Sequence, residues 1–200
     1  MRKLAAPILL SLALPTLSWP QATSKLAPEV RAFVKEDAPV LAVTHVRIID
    51  GTGTAPRADQ TLVIRDGKIA ALGDAANTKI PEGAKVLDLS GRTIIPGLVG
   101  MHDHMYYPAP GGPPALYPQH AASFPRLYLA GGVTSIRTTG SIEPYADLEL
   151  KRSIDDGKMA GPKIHVTGPY LEGQGAFTLQ MHQLKDAEDE IGRASCRERV

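Results

Sequence analysis

Residues 86–107 read V-L-D-L-S-G-R-T-I-I-P-G-L-V-G-M-H-D-H-M-Y-Y. Three short apolar pieces follow one another, separated first by a Ser-Gly turn and then by a Pro-Gly turn, and the third ends directly in His102-Asp103-His104. Side chains of residues i and i+2 in a strand project from the same face. The stretch therefore predicts that His102 and His104 point the same way and that Asp103 points the other way.

The two histidines form a candidate metal site. Imidazole is the commonest protein ligand for divalent metals, and two of them on one face at a strand end can share an ion. The His-x-His spacing alone is not specific for a metal site. It is matched equally well by two ordinary polar residues at the end of a strand. The context favours a metal, because an apolar strand that we expect to be buried delivers the pair after a Pro-Gly turn.

The string P-G-L-V-G-M-H-D-H at residues 96–104 resembles the first barrel strand of the metal-dependent amidohydrolases. The resemblance extends from Leu41 to His182 and is strongest to the imidazolonepropionase-like and prolidase-like members. It implies an α/β fold, namely the start of a (β/α)8 TIM-like barrel with about three strands present, preceded by a small antiparallel β-sandwich portion. It also implies hydrolysis of a C–N bond, in a cyclic amide or a dipeptide, by metal-activated water.

The resemblance further implies one or two divalent ions, most often zinc, with His102 and His104 holding the more buried ion. The family's binuclear site also uses a carboxylated lysine from strand four, histidines from strands five and six, and an aspartate from strand eight. None of these strands falls within the sequence, so the resemblance assigns it no catalytic residue and leaves the substrate-binding residues open. We therefore expect the 200-residue chain to be the inactive N-terminal fragment of a longer enzyme.

Composition and charge narrow the class of partner. The chain is 43% hydrophobic and 22% charged, which is ordinary for a globular protein. A formal net charge of +1 gives no reason to expect a nucleic acid or an anionic membrane surface as partner. A small-molecule substrate remains the expected partner. The single cysteine, Cys196, excludes an internal disulfide.

Residues 1–24 have the layout of a secretory signal peptide. Arg2 and Lys3 precede an apolar run from Leu4 to Leu17, and small residues follow it. A membrane anchor is disfavoured, because the run is shorter than the ~20 residues that a spanning helix needs. We expect cleavage near Ala22 to Ser24 and an exported protein, periplasmic or secreted.

Residues 25–40 form an N-terminal segment with a helix predicted over Lys25 to Asp37, and residues 41–95 form the β portion. Its predicted strands cover Leu41 to Ile49, Gln60 to Arg65, Lys68 to Leu72 and Ala84 to Leu89. Asp66-Gly67 between the second and third strands is a strong hairpin signal. The alternative is a non-enzymatic β module with a partial α/β unit. It is disfavoured because no linker separates the fourth strand from the Pro-Gly strand.

Residues 96–184 are predicted to be a partial barrel, because strands and helices alternate with short connections. After the His-x-His strand, the predicted elements are a helix over Gln119 to Ala130, bent at Pro125, a strand over Val133 to Arg137, a helix over Pro144 to Gly157 and a strand over Pro162 to Gly168. Residues 169–184 are predicted to be loop.

Other residues of this region are weaker site candidates. Tyr106, Tyr107 and Tyr117 are candidate pocket-lining residues, although packing on the scaffold explains each of them equally well. His165 is expected to support the core or the site rather than to bind metal. His182 could approach the metal, but exposure to solvent is the better expectation.

Residues 185–200 are the truncated end, and its last ten residues read I-G-R-A-S-C-R-E-R-V. This string has no apolar periodicity, and it resembles the in-frame translation of a common sequencing-library adapter. The alternative is a genuine basic helix. We interpret residues 191–200 as an artefact, because the barrel pattern stops at the same point.

Overall fold

The computed structural model describes residues 25–109, 116–175 and 180–189. The predicted signal peptide and the adapter-like residues 191–200 lie outside the described residues. None of the described helices is long and apolar enough to cross a membrane.

The N-terminal segment contains one helical turn, α1 (Pro28–Arg31). The helix predicted over residues 25–37 is therefore too long. Only Val30 is buried in this helix, whereas Phe33 and Val34 remain exposed. A short helix in water needs a packed apolar face, so nothing stabilises further turns here.

Five strands form the first sheet, β1 (Val40–Ile48), β2 (Arg57–Arg65), β3 (Lys68–Asp74), β4 (Lys85–Asp88) and β5 (Thr93–Ile94). The order is β3-β2-β1-β4, and β5 also pairs with β1. The predicted hairpin joins β2 and β3, and Asp66 and Gly67 both have positive φ, at 49° and 72°. This conformation matches the twist of the flanking strands in two-residue hairpins and explains why Asp-Gly occupies the turn.

The first sheet is mixed, so the prediction of an antiparallel region is wrong for its last two strands. β1 and β2 are antiparallel, but β4 and β5 both run parallel to β1. Residues 75–84 carry the chain from β3 across the sheet to the far side of β1. A tight turn would force an antiparallel neighbour, whereas a longer crossing permits a parallel one. The sheet's buried cluster is Val43, Val46, Ile48 and Leu62.

The second sheet has the predicted α/β architecture of a starting barrel. Its elements are β6 (Leu98–Asp103), α2 (Phe124–Ala130), β7 (Val133–Thr138), α3 (Pro144–Asp155) and β8 (Lys163–His165). The three strands are parallel in the order β6-β7-β8. Met105, Ile136, Leu150 and Ile164 form the buried cluster between this sheet and its helices.

The helix α2 begins later than predicted. Pro125 lies in its first turn instead of bending its middle. Proline is tolerated at this place because the first backbone N–H groups of a helix have no intrahelical acceptor. Residues 116–120 instead form part of the loop that returns from β6.

The prediction that a buried strand carries the histidines is wrong for the described chain. Leu98, Val99 and Met101 of β6 are 49%, 61% and 64% exposed. Among the described residues, β6 is hydrogen-bonded to β7 alone, and the helices pack against one face of the sheet. The opposite face is therefore open.

The predicted loop over residues 169–184 contains two short strands, β9 (Leu171–Gly173) and β10 (His182–Leu184). They pair in parallel as a separate two-stranded sheet. The polar and glycine-rich composition concealed them, because strands of this length carry too few residues to show periodicity.

Candidate metal centre

His102 and His104 lie side by side at the carboxyl end of β6. Their ring centroids are 5.3 Å apart, and the rings are perpendicular to each other. β6 runs parallel to β7, so the pair lies at the edge of the sheet where barrel enzymes place their active sites. The structure thus brings together the two residues that the spacing predicted to share a face.

An irregularity in β6 helps to place the pair. Gly100 pairs with Ile136 and Asp103 pairs with Thr138, so Met101 and His102 together lie opposite a single residue of β7. Such a bulge bends its strand and redirects a side chain, and bulges recur next to active sites. The Asp103 carboxylate folds back over Gly100, where a Cβ would collide with it. Any larger residue at position 100 would therefore force the Asp103 carboxylate to move.

His104 is the more buried of the two histidines, and its Nδ1 is buried without a hydrogen-bond partner among the described residues. Burial lowers the pKa of His104, and the neighbouring His102 lowers it further, while Asp103, Asp147 and the Gly140 backbone oppose the shift. The neutral imidazole is the form that binds a metal. An unpartnered ring nitrogen and a neutral ring fit a metal ligand.

Tyrosine rings form a wall beside His104. The Tyr106 ring lies 4.7 Å from the His104 ring, Tyr170 lies 6.2 Å from it, and Tyr117 packs edge-on against Tyr106 at 5.5 Å. The Tyr106 hydroxyl donates to the Tyr170 hydroxyl at 3.1 Å, and Tyr170 donates to the Thr139 carbonyl at 2.5 Å. Burial raises the pKa of Tyr106, so its phenol stays neutral.

The weaker candidates have different outcomes. Tyr106 and Tyr117 lie at the site, whereas Tyr107 is 65% exposed. His165 is exposed, contrary to the expected supporting role, because Ile164 takes the buried face of β8 and alternation turns His165 to the other face. His182 lies in β10, and its side chain lies outside the described residues.

Sequence reasoning missed Tyr170 and Asp147. Tyr170 lies in the loop that follows the third parallel strand, five residues after its end, so its position among the strand-end loops was an available signal. Asp147 is 1% exposed, although it is the acidic residue of the first turn of α3. Nothing in the local sequence distinguishes it from an ordinary exposed acidic residue of a helix.

The described residues do not by themselves complete a metal site. No group of three His, Cys, Asp or Glu residues within the described ranges lies close enough together to hold a metal ion. A catalytic zinc site uses three protein ligands and one open position. His102 and His104 would supply two of those ligands.

Comparison with known proteins adds relatives in sequence, although no family model matches the chain. The chain is 33% identical over 143 residues to a dihydroorotase from Anaeromyxobacter dehalogenans, a match that covers 70% of this chain and 31% of the relative. It is 31% identical over 141 residues to an enamidase from Eubacterium barkeri, covering 63% of this chain and 34% of the relative. The chain thus spans about a third of the length of these curated relatives.

A similar solved structure is that of a protein from Bifidobacterium longum provisionally assigned as a prolidase. It matches with a TM-score of 0.62 and 27% sequence identity, covering 80% of this chain and 38% of that one. The match covers most of this chain, so the fold described above is a known one.

Proposed function

This chain belongs to the amidohydrolase superfamily, and from that premise we propose that it is the N-terminal part of an exported metal-dependent hydrolase of C–N bonds. The names dihydroorotase, enamidase and prolidase all denote hydrolases of such bonds. The substrate that we propose is a small molecule, either a cyclic amide or a dipeptide.

One observation carries the proposal. The rings of His102 and His104 lie 5.3 Å apart at the carboxyl end of a parallel strand. This is the edge at which strand-end loops build active sites in barrels. A pair of histidines at another edge of the sheet would not indicate an active site.

The chain's own residues have distinct roles in this proposal. His102 and His104 bind the divalent ion through their imidazole nitrogens, and zinc is the ion we propose because imidazole suits it. When bound, such an ion lowers the pKa of a water ligand and polarises the scissile carbonyl. Burial lowers the pKa of His104, which favours the neutral form that ligates a metal. Tyr106 packs against His104 and excludes water from that side.

The 200-residue chain alone should be inactive. Two imidazoles leave a zinc ion short of the three protein ligands of a catalytic site. In the complete protein, the remaining ligands and the proton acceptor would come from parts of the relatives' length that this chain does not span. We therefore propose weak metal binding by this chain and turnover only by the complete protein.

Export is the second part of the proposal. It rests on the charged, apolar and small-residue regions of residues 1–24. Mass spectrometry of the expressed protein should find a new N-terminus near Ala22 to Ser24. An intact Met1 on soluble cytoplasmic protein would contradict export and leave the metal proposal untouched.

Zinc binding tests the metal proposal. The purified chain is dialysed against zinc, and bound zinc is measured by atomic absorption for the wild type, H102N, H104N and H165N. We expect each of the first two variants to lose most of the bound zinc. H165N is the matched control, because His165 is an exposed histidine of the same sheet. Equal zinc content in the wild type and in the H102N/H104N double variant would overturn the proposal.

Activity tests the hydrolase proposal separately. The complete protein is assayed with a panel of cyclic amides and dipeptides, with and without a chelator. Turnover that the chelator and the H104N substitution both abolish is the expected result. A complete protein that binds zinc through His102 and His104 but hydrolyses no member of the panel would contradict the substrate class.

A further inference from the structure

Asp147 is an acidic residue in a place where charge is costly. It is 1% exposed, and the salt bridges found among the described residues do not include it. A carboxylate that is removed from water needs strong hydrogen bonds to compensate for its lost hydration. Asp147 lies in the first turn of α3, where the helix dipole favours negative charge.

Two side chains from different loops supply those hydrogen bonds. The Gln119 amide donates from Nε2 to Asp147 Oδ1 at 2.8 Å, and the Ser141 hydroxyl donates to Oδ2 at 2.5 Å. Gln119 belongs to the loop that follows β6, and Ser141 belongs to the loop that follows β7. Hydrogen bonds to an ionised acceptor are about twice as strong as neutral ones.

Gln119 connects Asp147 to the metal ligands. Gln119 forms an isolated antiparallel bridge with Tyr106, two residues after His104. The next residue, His120, donates its backbone N–H to the Met105 carbonyl at 2.6 Å. The position of the Gln119 side chain is therefore coupled to the backbone that carries Tyr106 against His104.

Ser141 connects Asp147 to a third loop. Its backbone N–H donates to the Gly168 carbonyl, and its carbonyl accepts from the Tyr170 N–H, both at 3.1 Å. Gly168 and Tyr170 lie in the loop after β8, and Tyr170 is the residue whose hydroxyl accepts from Tyr106. One carboxylate thus joins the loops that follow all three parallel strands.

We propose that Asp147 is a positioning residue, which ties these three loops together and thereby holds His104 and the Tyr106 ring in their relative places. This inference depends on the proposed function only where it is tested by measuring zinc affinity. The hydrogen-bond partners of the Asp147 carboxylate are Gln119 and Ser141, so its role is exerted through them.

Electrostatics is consistent with this proximity. The charge of Asp147 contributes to raising the pKa of both His104 and Tyr106, although burial is the largest cause in each case and lowers the pKa of His104. A purely packing role would be met by an apolar side chain of similar volume, without the cost of a buried charge. The hydrogen bonds to two loops are what an apolar side chain could not provide.

The test compares D147A with D147N and L150A in the full chain. Asparagine can still accept from Gln119 and can donate to Ser141, so it keeps the connections without the charge. Leu150 is buried in the same helix, at 4% exposure, and belongs to the apolar cluster instead of the loop network. L150A is therefore a destabilising control, and urea unfolding confirms that each variant is folded.

Two readouts are measured, the NMR cross-relaxation between the His104 and Tyr106 ring protons and the zinc affinity by competitive titration. We expect D147A to lose the ring cross-peak and to bind zinc about tenfold more weakly, as for residues that orient metal ligands through others. D147N should stay within about threefold of the wild type, and L150A should keep both readouts. If D147A does not fold, S141A replaces it, because it removes one of the two connections.

The proposal is overturned if D147A keeps the cross-peak and the affinity, or if L150A loses both as D147A does. A wild type that binds no zinc at the histidine pair would instead sink the proposed function. In that case the cross-peak alone decides the role of Asp147, since it requires no metal.

Discussion

An interior strand of the first sheet, β1, and an edge strand of the second, β6, are covered to very different degrees. In β1 the consecutive residues Ala42, Val43 and Thr44 are all buried, so both faces of that strand are covered. In β6 the consecutive residues Leu98 and Val99 are exposed, although they are as apolar. The candidate metal ligands therefore lie at the end of the less covered of these two strands.

The largest expected effect is a loss of unfolding free energy that is confined to the buried cluster of one sheet. Ile136 lies between the second sheet and its helices at 1% exposure, and Val46 lies in the first sheet at 0%. Ile136→Ala should cost about 2–5 kcal/mol of unfolding free energy, because it leaves a cavity. If the sheets are separate units, hydrogen exchange should quicken in β7 and β8 and stay slow in β1 and β2.

Val46→Ala is the reciprocal control for that experiment. It should quicken exchange in β1 and β2 and leave β7 protected. Uniform loss of protection across both sheets in either variant would show that the two sheets unfold as one cooperative unit. The two sheets would then not have separate stabilities.

A smaller effect is expected at Gly140. Its φ is +77°, and a Cβ there would overlap the Tyr170 ring. Gly140→Ala should cost about 1–3 kcal/mol and displace Tyr170 from the wall beside His104. Gly83 of the first region is the control, since it has φ +73° and no atom within 4 Å of its Cβ position.

Equal destabilisation by the two alanines, measured by urea unfolding, would mean that backbone strain accounts for the whole effect. The overlap of the new Cβ with the Tyr170 ring would then add nothing to the loss of unfolding free energy. A larger loss in Gly140→Ala, together with a shifted Tyr170 ring signal, is the result that the structure predicts.

The open face of the second sheet should affect solubility more than stability. Val99→Ser and Met101→Ser remove exposed apolar surface, so each should change the unfolding free energy by no more than about 0.5 kcal/mol. Light scattering should show less aggregation of the Val99→Ser/Met101→Ser double variant than of the wild type. Exposed apolar surface and unpaired strand edges both promote association, and the two changes make this surface polar. Leu62→Ser, at a residue that is 7% exposed in the first sheet, should instead destabilise the fold.

The smallest effect concerns the pH dependence of the first sheet. The hydrogen bond that His45 Nδ1 donates to the Asp59 carboxylate, at 2.7 Å, is the main reason that the pKa of His45 is raised above 6.5. The resulting stabilisation should be complete below pH 6.5 and disappear as the pH rises through the raised pKa. Asp59→Asn should remove this dependence. Identical pH profiles of the urea midpoint for the wild type and Asp59→Asn would contradict this prediction. Salt should weaken the stabilisation, because the His45–Asp59 pair is exposed.

Much of the architecture was predictable from local signals. The Asp66-Gly67 turn between alternating strands specifies the hairpin, and the recurrence of strand and helix patterns after residue 96 specifies the parallel unit. The i, i+2 spacing of His102 and His104 placed both rings together. Each of these features is determined by residues that are close in the chain.

What could not be predicted depends on contacts between distant residues. The direction of β4 is set by a crossing whose residues carry no directional signal. The burial of Asp147 depends on Gln119 and Ser141, and the role of Tyr170 depends on Tyr106, 64 residues before it. The exposure of β6 depends on what covers its second face, which its apolar sequence cannot report.

The most direct test of the account follows the histidine side chains by NMR while zinc is added to the chain. The chain has six histidines, so each imidazole can be assigned and followed separately. We predict that the His102 and His104 signals move together as zinc binds, while those of His45, His120 and His165 stay in place. Movement of His165 or His120 with the first zinc, or independent movement of His102 and His104, would contradict a shared metal site at the end of β6.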